Sequence, residues 1–468
     1  MLNNYAHFNI QDFIFLFGEN ALFNFPPELQ CTGISTDTRT IEQGNLFLAL
    51  IGENSDGHDR VQEAFSKGAS AACIENNWYD KNINQVQNQP LIIVGSTLKA
   101  LAILANYHRK RFIYPVVAIG GSNGKTTTKN MTAHVLSSKY NVLKTSENYN
   151  NQIGVPLTLL QMSDEHDIVV IEMGTNEPGE IAILSEIIEP THGLITNIGK
   201  EHLEKLIDLD GVEMEETFLF GFLKRKAGVA FVNLDDDRLK KYPLVLDKKF
   251  TFGQSPDADL HAEIKTDDNL HPIITFTYRD NSLNVNLKTQ GFTTALNAIA
   301  ATTVALNMEL SDVEIKSSLE SFLPDDTHSY GRMVIEKLNG ITLINDCYNA
   351  NPDSMIAALN TIKSLNCIGK KIAVLGDMRE LGSASFEEHC AIIKLASESA
   401  DKVFIHGNEM KKALASLSGL SNIFHFEEKS ALIEKLIEVL QANDCLLVKG
   451  SRGMKMEEII TALKLNFV

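Results

Sequence analysis

From Pro115 onward the chain repeats one pattern: an unbroken apolar run, a glycine-bearing turn, then a segment with apolar residues at helical spacing. Residues 116–119, 168–171, 194–196 and 229–232 are such runs. Strands without polar alternation are buried on both faces, so the pattern predicts a mainly parallel sheet covered by helices on each side. Beyond the turn-rich stretch 322–326 the alternation restarts at 342–344, 372–375, 403–405 and 446–448, predicting a second doubly wound unit. The first 96 residues differ. Short runs at 45–51 and 71–75, punctuated by Gly52, Gly57 and Gly68, predict a small α/β domain. The Asn- and Gln-rich stretch 76–90 reads as a surface loop before a short strand at 91–94, and 96–110 reads as a helix from its apolar residues Leu98, Leu101, Ile103, Leu104 and Tyr107. The expected organisation is α/β in three domains, 1–96, 97–326 and 327–468.

Length and composition agree, since 468 residues with 44% hydrophobic content exceed what one core can absorb. Charge narrows the partners. Lys plus Arg number 42 against 60 for Asp plus Glu, a net charge of −18, and such a surface repels polyanions. Nucleic acid is not expected as a partner, and a phosphorylated ligand needs a local basic site. Six cysteines are scattered without metal-ligand spacing, which fits a reducing, cytoplasmic setting. Residues 1–20 lack the basic flank and small-residue cleavage site of a leader, and no run approaches 18 apolar residues, so membrane insertion is not expected.

The first chemical signal follows the run 116–119. Gly120, Gly121, Ser122, Asn123, Gly124, Lys125, Thr126 and Thr127 lead into a helical segment through Met131 and Val135. Strand, glycine turn and helix are what a phosphate site requires: glycines admit the phosphates to backbone N–H groups, the helix N-terminus adds its dipole, the lysine reaches the β and γ oxygens and the threonine hydroxyl can ligate Mg²⁺. The spacing departs from the strict phosphate-loop pattern, which would place a glycine at Ile119. Glu172 ends the run 168–171 at the edge where such sheets bind ligands, a place suited equally to a metal ligand or a helix cap. His202 follows the run 194–196, and a lone histidine is more often structural than a ligand. The stretch from Asp346 to Ser354, with Asn349 and Asn351, precedes a helix over 355–363 and carries more amides than capping needs. Lys449 and Arg452 close the last run, as an anion site or as a solvated loop.

Taken together, residues 148–156, 346–354, 376–382 and 449–452 and the phosphate loop resemble the Mur ligase family along nearly the whole chain. The family's loop is a variant with the Asn-Gly-Lys-Thr ending seen here. The resemblance implies a central P-loop ATPase domain, a C-terminal Rossmann-like domain and an ATP-dependent ligase that forms a C–N bond through an acyl phosphate. Residues 346–354, 376–382 and 449–452 look like the member that joins D-alanyl-D-alanine to UDP-N-acetylmuramoyl-tripeptide for peptidoglycan synthesis, expected as a monomer. By resemblance, Lys125, Glu172, His202 and Arg332 are catalytic. Lys125 and Arg332 contact ATP phosphates together with Gly121, Ser122, Asn123, Gly124, Thr126 and Thr127, while Asn297 contacts adenine and Asp346 the ribose. Thr126 and Glu172 hold one Mg²⁺ and His202 serves a second. Ser35 and Arg39 face the UDP end, Asn148 and Asn151 the muramoyl peptide, and Asn349, Asn351 and Ser354 in the third domain the incoming dipeptide.

Two departures stand out. Where the family usually carries a carbamylated lysine that helps fix Mg²⁺, alignment on residues 210–212 places Glu216, whose carboxylate either replaces the carbamate or belongs to a solvated acidic face. Thr293 and Thr294 replace the usual His-Asn near Asn297. Two alternatives remain: a sibling such as folylpolyglutamate synthase, and a non-catalytic nucleotide-peptide sensor.

Overall fold

The computed structural model describes residues 4–267, 269–324 and 331–466. The expected boundary at 326/327 and the turn at Asp325 and Asp326 lie outside them. Three larger sheets organise the chain. The central one has nine strands. Its parallel part runs, in spatial order, Lys249–Gly253, Val229–Asn233, His192–Ile195, Val116–Gly120, Ile168–Glu172 and Val142–Lys144. Val116 and Ala118 point into one hydrophobic core and Val117 and Ile119 into another, which is why these runs show no polar alternation. The helix Lys125–Leu136 covers one face, packed on Phe292–Asn307.

The sheet also extends where no strand is expected from the pattern. Leu260–Thr266, Pro272–Tyr278 and Asn281–Asn286 form an antiparallel meander on its edge, the last pair turning through Arg279 and Asp280 with Arg279 at φ 52°. One face of this meander meets solvent, so its polar residues mask it in the sequence.

The third unit is a six-stranded sheet, parallel through Ile341–Asp346, Cys445–Lys449, Lys371–Gly376, Lys402–His406 and Ile423–Phe426, with Val334–Leu338 antiparallel at one edge. The first unit holds a five-stranded sheet that includes Ala71–Glu75 and Leu91–Val94. One expectation fails here. The stretch 76–90 is not a loop: Asn76–Val86 is a helix, with Val86 fully buried and Trp78 and Tyr79 packed on the same core. The residues facing the core are too few for periodicity to show, and tertiary burial overrides the poor helix propensity of the asparagines. No helix among the described residues is long and apolar enough to cross a membrane.

Candidate active site

The phosphate loop leaves the strand Val116–Gly120 and enters the helix at Lys125. Gly121 has φ +107°, and a Cβ there would lie 2.3 Å from the Thr196 hydroxyl oxygen. Gly124 caps the helix in the left-handed region at φ +83°, with Asn297 Oδ1 2.5 Å from where a Cβ would stand. Both positions demand glycine, for conformation and for space. Asn297 also accepts from Thr128 Oγ1 at 3.2 Å, so it lies directly beneath the loop.

Lys125 folds back on its own loop. Its ammonium donates to the carbonyls of Gly121 and Ser122 and pairs with Glu201 Oε2 at 3.3 Å. Burial pushes the ammonium down, but Glu201, Glu216 and Glu172 outweigh it and hold it above the ordinary lysine value. Glu216 is fully buried and accepts the Gly121 N–H at 2.7 Å. Desolvation pushes its carboxyl up to about 8, against the pull of Lys125. The solvated acidic face is thereby excluded for this residue. Its neighbours are engaged as well: Glu215 accepts the N–H groups of Gly179 and Ile181, and Glu213 pairs with Arg238 and Lys241.

Glu172 is 2% exposed. Its Oε1 accepts from Thr126 Oγ1 and from Asn150 Nδ2, each at 2.9 Å, and its Oε2 faces the Lys129 ammonium at 3.4 Å. Lys129, itself 1% exposed, donates to the Glu147 carbonyl at 3.1 Å. The asparagine turn is thus tied to the carboxylate at the sheet edge. Within it Asn151 Oδ1 accepts the Gly154 N–H at 2.9 Å where the helix Gly154–Leu159 begins, and the Asn148 carbonyl accepts from the Asn150 N–H. Lys129 and Glu201 escaped the sequence reading. Lys129 carried a signal, because it lies four residues from Lys125 on one helix face.

The third unit closes the site. Asn351 caps the helix Pro352–Ser364 through the Ser354 N–H at 2.8 Å, and its Nδ2 reaches Asn123 Oδ1 at 3.0 Å. Asp353 Oδ2 accepts the Lys200 N–H at 2.7 Å, and Lys200 Nζ donates to Glu388 at 2.5 Å. His202, at φ 48°, pairs through Nδ1 with Glu380 at 2.6 Å, and the ring holds that carboxyl below the usual carboxylate range. Arg332 stacks on Tyr348, its guanidinium carbon 3.7 Å from the ring centroid, and its charge reaches Lys129. Asp346 is already held from two sides, by the Met333 N–H at 2.9 Å and the Lys449 ammonium at 2.5 Å. Lys449 is 2% exposed and spent on that pair and on the Asn349 carbonyl, so residues 449–451 are not a solvated loop, while Arg452 is exposed. Asn349 Oδ1 faces the Arg452 N–H at 3.4 Å.

In the first unit, Ser35 bonds within its own turn, to the Asp37 carbonyl at 2.9 Å, and Arg39 lies 85% exposed with its guanidinium on Asp37. Thr127 is half-buried on the loop helix.

Comparison with known proteins places these features in a lineage. Residues 30–109 match the Mur ligase family, catalytic domain, residues 119–305 the Mur ligase middle domain, and residues 331–452 the Mur ligase, glutamate ligase domain. The UDP-N-acetylmuramoyl-tripeptide–D-alanyl-D-alanine ligase of Bacillus subtilis is 33% identical over 92% of this chain and 93% of its own. Among solved structures, MurF from Acinetobacter baumannii superposes with a TM-score of 0.88 at 29% identity over 99% of this chain and 100% of that one. MurF ligase from Thermotoga maritima, in complex with ADP, gives 0.82 at 26% identity, covering 93% and 97%.

Proposed function

This chain belongs to the Mur ligase family, and on that premise we propose how its site carries out the reaction. The protein is an ATP-dependent ligase that joins D-alanyl-D-alanine to UDP-N-acetylmuramoyl-tripeptide, giving the pentapeptide precursor of peptidoglycan with ADP and phosphate. A carboxylate and an amine do not form an amide in water without activation. The tripeptide carboxylate therefore attacks the γ-phosphorus of ATP, ADP departs, and the amine of the dipeptide displaces phosphate from the acyl phosphate. Such chemistry asks for positioned charge rather than a nucleophilic side chain.

The observation that carries the assignment of roles is the convergence of Lys125, Glu172, Glu216 and the loop Gly199–His202 on one glycine turn closed over by Asn351. In this reading the N–H groups of residues 124–126 and the Lys125 ammonium take the β- and γ-phosphates, and Arg332 approaches from the third unit. Asn297 and Asp346 lie on the nucleotide side, Asn148 and Asn151 on the muramoyl peptide, Ser35 and Arg39 on its UDP end, and Asn349, Asn351 and Ser354 on the dipeptide. The three units serve in turn the UDP substrate, ATP and the dipeptide.

The residues present fit Mg²⁺. Two buried carboxylate oxygens near Lys125, Glu201 Oε1 and Glu216 Oε1, have no hydrogen-bond partner, as hard oxygen donors awaiting a cation would. Thr126 and Glu172 would hold one ion and His202 and Glu216 a second, with the Glu216 carboxylate standing where the family's carbamate would. Bound there, the ions supply neutralisation of charge on the transferring phosphoryl group. Phosphate release from ATP with UDP-muramoyl tripeptide and D-alanyl-D-alanine tests the whole reading. Release only with another amine would mark a sibling ligase, and binding without release a sensor.

A further inference from the structure

Glu201 has no part in the roles above, yet it is 6% exposed and sits beside the phosphate loop. Its Oε2 faces Lys125 at 3.3 Å, while Oε1 is buried with no hydrogen-bond partner. Glu216 stands at the same lysine: the Gly121 residue whose N–H it accepts is the one whose carbonyl takes the Lys125 ammonium. Its Oε1 is bare as well. Glu201 pairs with that ammonium directly and Glu216 feels its charge, whereas Glu172 has Lys129. When the γ-phosphate draws Lys125 forward, Glu201 loses its ion pair and Glu216 a compensating charge, and buried carboxylates left without either are costly.

We propose that Glu201 and Glu216 form a carboxylate pair that takes the second divalent cation when ATP binds, the Lys125 ammonium giving way to it. The proposal rests on the reading of Glu216 as a metal ligand and adds Glu201 to it. Among the described residues no three acidic, histidine or cysteine side chains form a ready-made cage. Two carboxylates completed by phosphate oxygens and water are what Mg²⁺ or Mn²⁺ ordinarily accepts. The pair also explains how a chain with glutamate in place of the carbamate can still hold the ion: what Glu216 lacks in reach, Glu201, paired with the lysine beside it, supplies.

Mn²⁺ titration of the full chain with a non-hydrolysable ATP analogue, free Mn²⁺ being read by electron paramagnetic resonance, tests this without turnover. The wild type binds two ions per chain in bicarbonate-free buffer. Glu201→Gln binds one, and its retained affinity for that first ion shows that the Thr126–Glu172 site is folded. Two ions at unchanged affinity in Glu201→Gln overturn the proposal. If Glu216→Gln alone loses the second ion, the role of Glu216 stands and that of Glu201 falls; if neither variant loses it, both fall. Should Glu201→Gln bind no ion at all, Glu201→Asp decides: the shortened carboxylate weakens the second ion at least tenfold and leaves the first unchanged, and equal affinity for both ions counts against the pair.

Discussion

The side-chain amide of Asn351 donates to the side-chain carbonyl of Asn123 across 3.0 Å, so the cap of a helix in the third unit is also a clasp on the phosphate loop. Asn351→Ala removes both and lowers the unfolding free energy by about 1 kcal/mol. Asn351→Asp keeps the capping oxygen but loses the donor. It should melt near the wild type while its KM for ATP stays raised, as steady-state kinetics beside thermal denaturation will show.

Glu216 makes a second expectation sharp. With a native carboxylate in place, the rate is the same with bicarbonate removed or added, whereas Glu216→Ala loses at least tenfold of its Mg²⁺-dependent rate. Full activity in that variant would remove Glu216 from the site.

Lys129 and Glu172 are a buried ion pair, and buried pairs punish the removal of one partner more than of both. Lys129→Met should cost about 3 kcal/mol in urea unfolding, the lower end of the usual range because Thr126 and Asn150 still bond the carboxylate. The double variant Lys129→Met/Glu172→Gln should recover part of the loss, and strict additivity would show that the two do not interact.

Acid sensitivity has a source remote from the catalytic turn. Desolvation lowers His108 to about 4, its Nε2 facing the Met162 carbonyl at 3.0 Å and its Nδ1 without a partner. The unfolded chain takes up this proton below about 6.5 and the folded chain only near 4, so stability is lost as pH falls through that window. The contribution is ~3 kcal/mol at ~1.4 kcal/mol per tenfold. His108→Gln should flatten the pH dependence of thermal melting between 6.5 and 4.

Where side chains are buried on both faces of a sheet, the sequence was easily read. The expected runs 116–119, 168–171 and 372–375 lie inside the strands Val116–Gly120, Ile168–Glu172 and Lys371–Gly376, because nothing but apolar residues fits there. Strands with a wet face, such as Asn281–Asn286, gave no such signal. In the site, Lys125 and Thr126 were legible from local spacing alone. Glu201 was not, since its partner Lys125 is 76 residues away and only the packing of two strand ends brings them together. Lys449 was visible as a cation, but its pairing with Asp346, 103 residues distant, turns an apparent anion site into a neutral strut.

The loop that bears His202 is gripped from the third unit at Lys200, His202 and Glu204, through Asp353, Glu388 and Glu380. Any swing that parts the two units frees all of these together. On the proposed roles the machinery is a lock with two keys: a nucleotide seated on the glycine turn would leave it incomplete until the neighbouring unit docks, which would couple the spending of ATP to the arrival of whatever that unit carries.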